Sequence, residues 1–377
     1  MYWIIIICLS IAICACLSGM LIPQIAAICS VKKLFDVPDG RKIHQENISR
    51  LGGFAFAPVI FFVFALLTGL SFVFGRPDIV MAAQSEASVL SLSFCSLLIL
   101  YVMGIADDLV GVRFRSKFVM QILCGVLLAM GGILIDNFYG VFGVGLLPQW
   151  IAYPFTVVLI VFIINALNLI DGIDGLASGL SVVACLFYGF IFFHLQHYLF
   201  AMLAFGTLGV LIPFFYYNVF GKAEEGKKIF MGDTGSLTIG LILSLLSIKL
   251  AQSIPADGTA LFNPLMVAFS PLIVPCFDAA RVFFHRICNG RHPFKPDKNH
   301  IHHKLLAIGL SQRSARIILV SVAIVYLVGN IVLSRYVNAT FLLIGDLVVW
   351  IAGTVCLTHA MVKRNNKLTV TQKQFNK

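Results

Sequence analysis

Apolar stretches of roughly 18 or more residues recur along the whole chain, separated by short polar or charged segments. Each is long enough to cross an apolar layer of about 30 Å as a helix. The short alternating segments of a lipid-exposed barrel strand do not occur. Backbone donors and acceptors within lipid have to be satisfied inside the segment, so the spans are predicted to be helices. Eleven are expected, at about 3–30, 53–74, 87–106, 118–135, 151–170, 176–193, 198–219, 236–252, 263–287, 314–334 and 340–361. The first run lacks a basic leader and a small-residue cleavage site and is read as a retained helix. The fold class is therefore an all-α polytopic membrane protein. It is expected to form a single transmembrane domain over 1–362 with a polar, mobile tail over 363–377.

Charge then sets the orientation. Taking the connections alternately, all of the 27 Lys and Arg except Arg76, Lys249 and Arg335 fall in one set of loops and adjoining helix ends. Cytoplasmic loops carry the Lys/Arg excess. The N-terminus is thus expected outside (periplasmic) and the C-terminus in the cytoplasm. Only 12% of residues are charged against 59% hydrophobic, about half the usual charge of a soluble domain. The net charge of +10 reads as orientation and attraction to anionic lipid. Nucleic-acid binding would need a basic soluble domain, and none is present. Ten Cys are scattered without a CxxC pair, so they are read as small buried hydrophobes rather than disulfides or zinc ligands. The outside segment 136–150, rich in Gly and aromatics, is expected to form a short hairpin at the membrane interface.

Acidic residues number 17, and five of them lie in three motifs that all fall on the basic, inner side. Ionisable groups at membrane depth are costly and usually functional. The first motif, GIADDLVGVRFRSK, places Asp107 and Asp108 at the end of the third span; a solvated helix end is its plainer reading. In the second, NALNLIDGIDG, Asn165, Asn168 and Asp171 recur every third residue. Asp174 joins that face only if the helix breaks, which Gly172 and Gly175 permit. Crowded polar oxygens of this kind suit a hard cation or metal-bound phosphate, whereas helix-to-helix glue explains one Asn but not the run. The third, FMGDTGSLTIG, sets Asp233 between Gly232 and Gly235 before a helix that Ser236 is expected to cap. Such a turn exposes backbone N–H groups to an anion.

The inner loop 288–313 carries His300, His302 and His303 beside Arg291, Lys295, Lys298 and Lys304. That cluster suits a pyrophosphate and a sugar; a zinc site and a basic loop resting on lipid headgroups are its rivals. Just upstream, Asp278 and Arg281 are one turn apart and are expected to pair and position the loop.

Taken in order, DVPDGRKIH (36–44), ADD (106–108), NALNLIDGIDG (165–175), MGDTGS (231–236) and HIHH (300–303) resemble the polyprenyl-phosphate N-acetylhexosamine-1-phosphate transferases over nearly the whole chain. The lead-in PFKPDKNHIHH looks like the WecA/TagO-like branch, which uses UDP-N-acetylglucosamine, rather than the branch using UDP-N-acetylmuramoyl-pentapeptide. The resemblance implies transfer of an amino-sugar-1-phosphate from a UDP-sugar to undecaprenyl phosphate with release of UMP. It implies magnesium (manganese as a substitute) and a cytoplasm-facing site in a bacterial inner membrane, and leaves a homodimer open. By motif matching, Asp233 and Asn168 are the metal ligands, and Asp107 and Asp108 the catalytic carboxylates, with Asp171 and Asp174 supporting nucleotide and metal. Arg291, His300, His302 and His303 are matched to the sugar-pyrophosphate, Asn165 to substrate binding and Lys42 to the lipid phosphate. The rival class is a lipid-linked sugar transporter or flippase, whose acids would lie nearer mid-membrane.

Overall fold

The computed structural model of the chain describes residues 2–32, 34, 48–254, 262–292 and 299–375, with side chains described through Arg364. The DVPDGRKIH motif, and with it Lys42, lies outside the described residues, as do 293–298. Among the described residues the protein is helical, with only isolated β-bridges. The helices are α1 (Tyr2–Lys32), α2 (Phe56–Val73), α3 (Pro77–Ser85), α4 (Ala87–Val110), α5 (Phe114–Met130), α6 (Gln149–Ile170) and α7 (Leu176–His194). They continue with α8 (Tyr198–Phe220), α9 (Gly232–Ser253), α10 (Pro264–Phe269), α11 (Ile273–Cys288), α12 (Ile301–Ala307), α13 (Gln312–Leu333) and α14 (Ala339–Phe375).

Ten helical segments among the described residues are long and apolar enough to cross a membrane, the α10–α11 stretch Pro264–Cys288 counting as one. The eleventh expected span, 118–135, is α5, a helix of 17 residues packed between α4 and α6. It stops earlier than the apolar run suggests because Gly131 and Gly132 break it, Gly132 with φ +106°. The apolar run continues as non-helical chain, whose Ile135 N–H donates to Thr156 Oγ1 at 2.9 Å. Hydropathy alone cannot see that change of conformation. The expected helix 263–287 is interrupted by a 3-10 turn at Ser270–Leu272, where Pro271 falls. The backbone of α14 runs through Phe375, so the segment read as a tail continues the last helix. The segment 136–150 makes an irregular hairpin closed by the bridge Asn137↔Leu146. All ten Cys are free, five of them exposed at lipid-facing or terminal positions rather than buried as expected.

The core is organised around α9, of which nearly every position from Thr234 to Ala251 is buried. α4 and α6 pack along it through small residues: a side chain at Gly104 would collide with Thr234, and a Cβ at Gly240 would lie 2.8 Å from Ile164 Cα. Without a hydrophobic force between helices in lipid, such close approach supplies the packing. α1 docks on α8 where Gly209 meets Ile11 and Cys14. α13 and α14 are peripheral and expose Phe341, Val349 and Val355, as lipid-facing helices do. Alternation of the spans gathers the end of α4, start of α5, end of α6, start of α9 and end of α11 at one end of the bundle. Every sequence motif that the structure describes lies at that end.

Candidate active site at the basic end of the bundle

The site is built around the N-terminus of α9. Residues 49–53 run beside 229–231: Phe230 N–H donates to Ser49 O (2.8 Å), Gly52 N–H to Phe230 O (2.9 Å) and Gly53 N–H to Met231 O (2.9 Å). This pairing delivers the chain into Gly232, at φ +69°, where a side chain would strike the Arg50 carbonyl and the Asp108 carboxylate. The first-turn N–H groups of α9 then need acceptors. Asp108 provides them from α4, taking Asp233 N–H at 2.8 Å, Thr234 N–H at 2.9 Å and the Thr234 hydroxyl at 2.6 Å. The expected cap, Ser236, instead donates to Gly232 O at 3.0 Å inside the helix. A local spacing rule could not anticipate a cap supplied by another helix.

The adjacent Asp107 faces a different set of groups. Its Oδ1 accepts Val112 N–H at 2.7 Å, and its Oδ2 is ion-paired with Lys117 on α5. Lys117 also pairs with Asp233 Oδ2, so one ammonium joins two carboxylates from different helices. Asn168 at the end of α6 donates through Nδ2 to Asp233 Oδ1 (2.9 Å) and to Ser236 Oγ (2.8 Å).

The chain breaks after Ile170 as the two glycines permit, with Gly175 at φ +74° before α7. Asn218 ties this loop to the α9 approach: it accepts Gly175 N–H at 2.6 Å and donates to Ile229 O at 2.8 Å. Asp171 has no hydrogen-bond partner among the described residues. Burial, and then the negative charges of Asp174, Asp233 and Asp108, push its carboxyl up to about 7, with Arg50 opposing them. Asp174 pairs with Lys228 at 2.8 Å, and its carbonyl accepts Arg316 at 2.8 Å.

The histidines arrive on α12. Asp278, fully buried on α11, accepts Ile301 N–H at 3.0 Å, contacts His300 Nδ1 at 2.8 Å and pairs with Arg281 at 2.7 Å. Arg281 also donates to Asn299 O at 2.6 Å, so the expected Asp278–Arg281 pair does fix the loop. His302 is 1% exposed, and among the described residues neither ring nitrogen has a hydrogen-bond partner. Its ring lies against Gly172, where a Cβ would collide with Nε2. Burial, then the neighbouring His303 and His300, lower its pKa to about 3, so it is neutral near pH 7. Orphaned buried imidazole nitrogens beside an acidic loop are suited to a polar ligand.

Thus Asp107, Asp108, Asn168 and Asp233 share one hydrogen-bonded network, with Asp171 close enough to feel its charge, and His302 touches the loop carrying Asp171 and Asp174. Asn165 is not part of that network: its amide donates to Gln121 Oε1 (2.6 Å) and Val161 O (2.7 Å), tying α6 to α5. Arg291 is exposed on the turn after α11. The next residue, His292, meets Phe114 edge-on at the start of α5, 6.5 Å between ring centres. Lys117, Arg50 and Asn218 were not singled out from sequence; only the RFRSK string beside the Asp pair hinted at Lys117.

The donor set suits a small hard cation. Among the described residues no three His, Cys, Asp or Glu side chains form a preformed ligand cluster. Two converging carboxylates and one amide are nevertheless what magnesium ordinarily takes from a protein, phosphate and water supplying the rest.

The glycosyl transferase family 4 model matches residues 89–251, from α4 through α9, and so spans all three acidic motifs. A probable undecaprenyl-phosphate N-acetylglucosaminyl 1-phosphate transferase of Bacillus subtilis (strain 168) is 32% identical over 303 residues, covering 78% of this chain and 74% of that protein. The chain belongs to glycosyl transferase family 4. A decaprenyl-phosphate N-acetylglucosaminephosphotransferase of Mycolicibacterium smegmatis is 30% identical over 302 residues, with 74% and 70% covered. An undecaprenyl-phosphate alpha-N-acetylglucosaminyl 1-phosphate transferase of Salmonella typhi is 30% identical over 310 residues, with 80% and 77% covered. This family 4 member is a multi-pass membrane glycosyl-1-phosphate transferase, and the network at the α9 N-terminus lies inside the matched region.

Proposed function

We propose that the protein transfers N-acetylglucosamine-1-phosphate from UDP-N-acetylglucosamine to a polyprenyl phosphate of the undecaprenyl type, at the cytoplasmic face of a bacterial inner membrane. The convergence of three acidic loops and the histidine helix at the basic end of the bundle carries this reading. Family membership and the names of the relatives support it. A transporter reading fits less well, because the acids sit at helix ends rather than at mid-depth.

In the reaction, an oxygen of the lipid phosphate attacks the β-phosphorus of the UDP-sugar. The bond from that phosphorus to the bridging oxygen breaks, and UMP leaves with the bridging oxygen. The acceptor is already an anion, so catalysis is mostly alignment and charge stabilisation. Asp107, beside the ammonium of Lys117, orients the acceptor phosphate and takes any proton it still carries. Asp108 keeps the α9 N-terminus rigid, with its backbone donors fixed. Asp233 and Asn168 would hold magnesium, which supplies charge neutralisation at the diphosphate. Asp171 and Asp174 shape the nucleotide side, Asp174 fixed by Lys228 and Arg316. His302 stays neutral and offers its free nitrogens to the sugar-diphosphate, with His300, His303 and Arg291 completing that wall. Lys42 is assigned to the lipid phosphate by its motif alone.

The test is magnesium-dependent UMP release by the purified chain in nanodiscs with undecaprenyl phosphate, run across UDP-GlcNAc, UDP-GalNAc and UDP-MurNAc-pentapeptide. Turnover with UDP-GlcNAc is expected. Faster turnover with the pentapeptide substrate, or release from none of the three, would overturn the assignment.

A further inference from the structure

The ammonium of Lys117 stands between Asp107 and Asp233, paired with Oδ2 of each. Two carboxylates brought together from separate helices repel unless a cation lies between them. α5 supplies that cation from its first turn. Lys117 is 24% exposed, so its head has a route out of the pair. Asn168 turns its amide nitrogen, not its oxygen, toward Asp233, with a second contact to Ser236. In this arrangement the groups on the Asp233 carboxylate are hydrogen-bond donors. A divalent cation can bind there only if the ammonium leaves and the Asn168 amide turns over.

We propose that Lys117 is an exchangeable counter-ion: it holds Asp107 and Asp233 together until a divalent cation replaces it, and its ammonium then moves onto a phosphate oxygen of the donor. This rests on the function proposed above. The exchange makes and breaks no covalent bond. Its flexible four-carbon stem and compact charge suit the move. Two other nearby cations are engaged elsewhere, Lys228 on the Asp174 carboxylate and Arg316 on the Asp174 carbonyl. The consequence is coupling between ligands. Metal alone has to displace a paired ammonium, whereas metal arriving with a diphosphate gives that ammonium a new anionic partner, so each tightens the other.

Mn2+ binding by electron paramagnetic resonance, on the full chain in phosphatidylcholine nanodiscs, tests this. Without donor, Lys117→Gln is expected to bind Mn2+ about tenfold more tightly than wild type, whereas Lys228→Gln, which removes an equal charge beside Asp174, shifts it by less than about threefold. Unchanged or weaker binding in Lys117→Gln, or an equal gain in Lys228→Gln, overturns the proposal. Should Lys117→Gln fail to fold, the wild-type chain answers the same question. Acetylation of Lys117 by an N-hydroxysuccinimide ester, read by mass spectrometry, should accelerate with Mg2+ alone and slow again when UDP-GlcNAc is added. Protection by Mg2+ alone, or no response, overturns it equally. A wild-type chain that binds no Mn2+ even with UDP-GlcNAc present would instead remove the proposed function itself.

Discussion

Asp107 and Asp108 are neighbours with different partners, because consecutive residues on a helix point in different directions. Asp108 faces inward to the α9 backbone and spends both oxygens there. Asp107 faces the ammonium of Lys117. Losing a cap costs about 1–2 kcal/mol. Asp108→Ala is therefore expected to lower the unfolding midpoint in detergent. Asp107→Asn should leave that midpoint unchanged while cutting kcat about 10²–10⁴-fold, the usual range for a lost proton-handling group. Equal thermal losses in both variants would contradict the division.

Two other side chains contribute opposed pH dependences. His302 has a folded pKa of about 3 against an ordinary 6.5. Between those values the unfolded chain binds a proton that the folded chain refuses. Stability from His302 is thus full above about 6.5 and is lost as pH falls toward 3. Asp171 works the other way: its folded value of about 7 lies above an ordinary 3.8, so the folded chain holds the extra proton and stability declines as pH rises between them. The two slopes oppose each other across their shared window. Asp171→Asn should consequently raise the unfolding midpoint at pH 8 far more than at pH 4, without added metal. A pH-independent difference between wild type and variant would rule this out.

Among the elements, the short helix α12 depends most on its neighbours. It has seven residues, too few to be stable alone. Asp278 receives its first N–H and His300. At its far end Lys304 donates to Thr358 on α14 at 2.7 Å, and the Arg364 guanidinium lies against Gly309, which has φ +93°. The last helix thus braces the histidines from outside the acidic network. Arg364→Ala with Thr358→Val is expected to raise KM for the UDP-sugar while leaving Mn2+ binding unchanged. Gly172→Ala attacks the same alignment from the loop side, since its new methyl displaces His302. A shift of about 1 Å can cost about 10²-fold, and that loss of kcat is expected with the fold retained. Wild-type turnover in Gly172→Ala would mean that His302 does not need its place against the loop.

For the whole molecule, the acidic motifs and the histidine helix gather at one end of the bundle. The far end is joined by purely architectural contacts, such as Lys249 with Glu86 at 2.7 Å and Tyr139 with the Ala251 carbonyl at 2.8 Å. A cysteine placed at Glu225, in a background lacking exposed Cys, should react with a membrane-impermeant maleimide only from the cytoplasmic side, and one placed at Phe142 only from outside. Both reacting from one side would invalidate the orientation.

Sequence by itself determined the spans, because roughly 18 apolar residues in a row have no other stable use in lipid. It also located the reactive residue types, because charge is too costly at membrane depth to be scattered idly. Periodicity and spacing are local quantities, however, and the site is assembled by contacts far apart in the chain. Only the packing of α4, α5 and α6 around α9 decided that Asp108 caps a helix begun more than a hundred residues later, that Lys117 lies between two carboxylates, and that Asn165 faces Gln121 instead of the site. Those assignments depend on which face each helix turns to its neighbours, and close approach at Gly104, Gly53 and Gly240 fixes those faces.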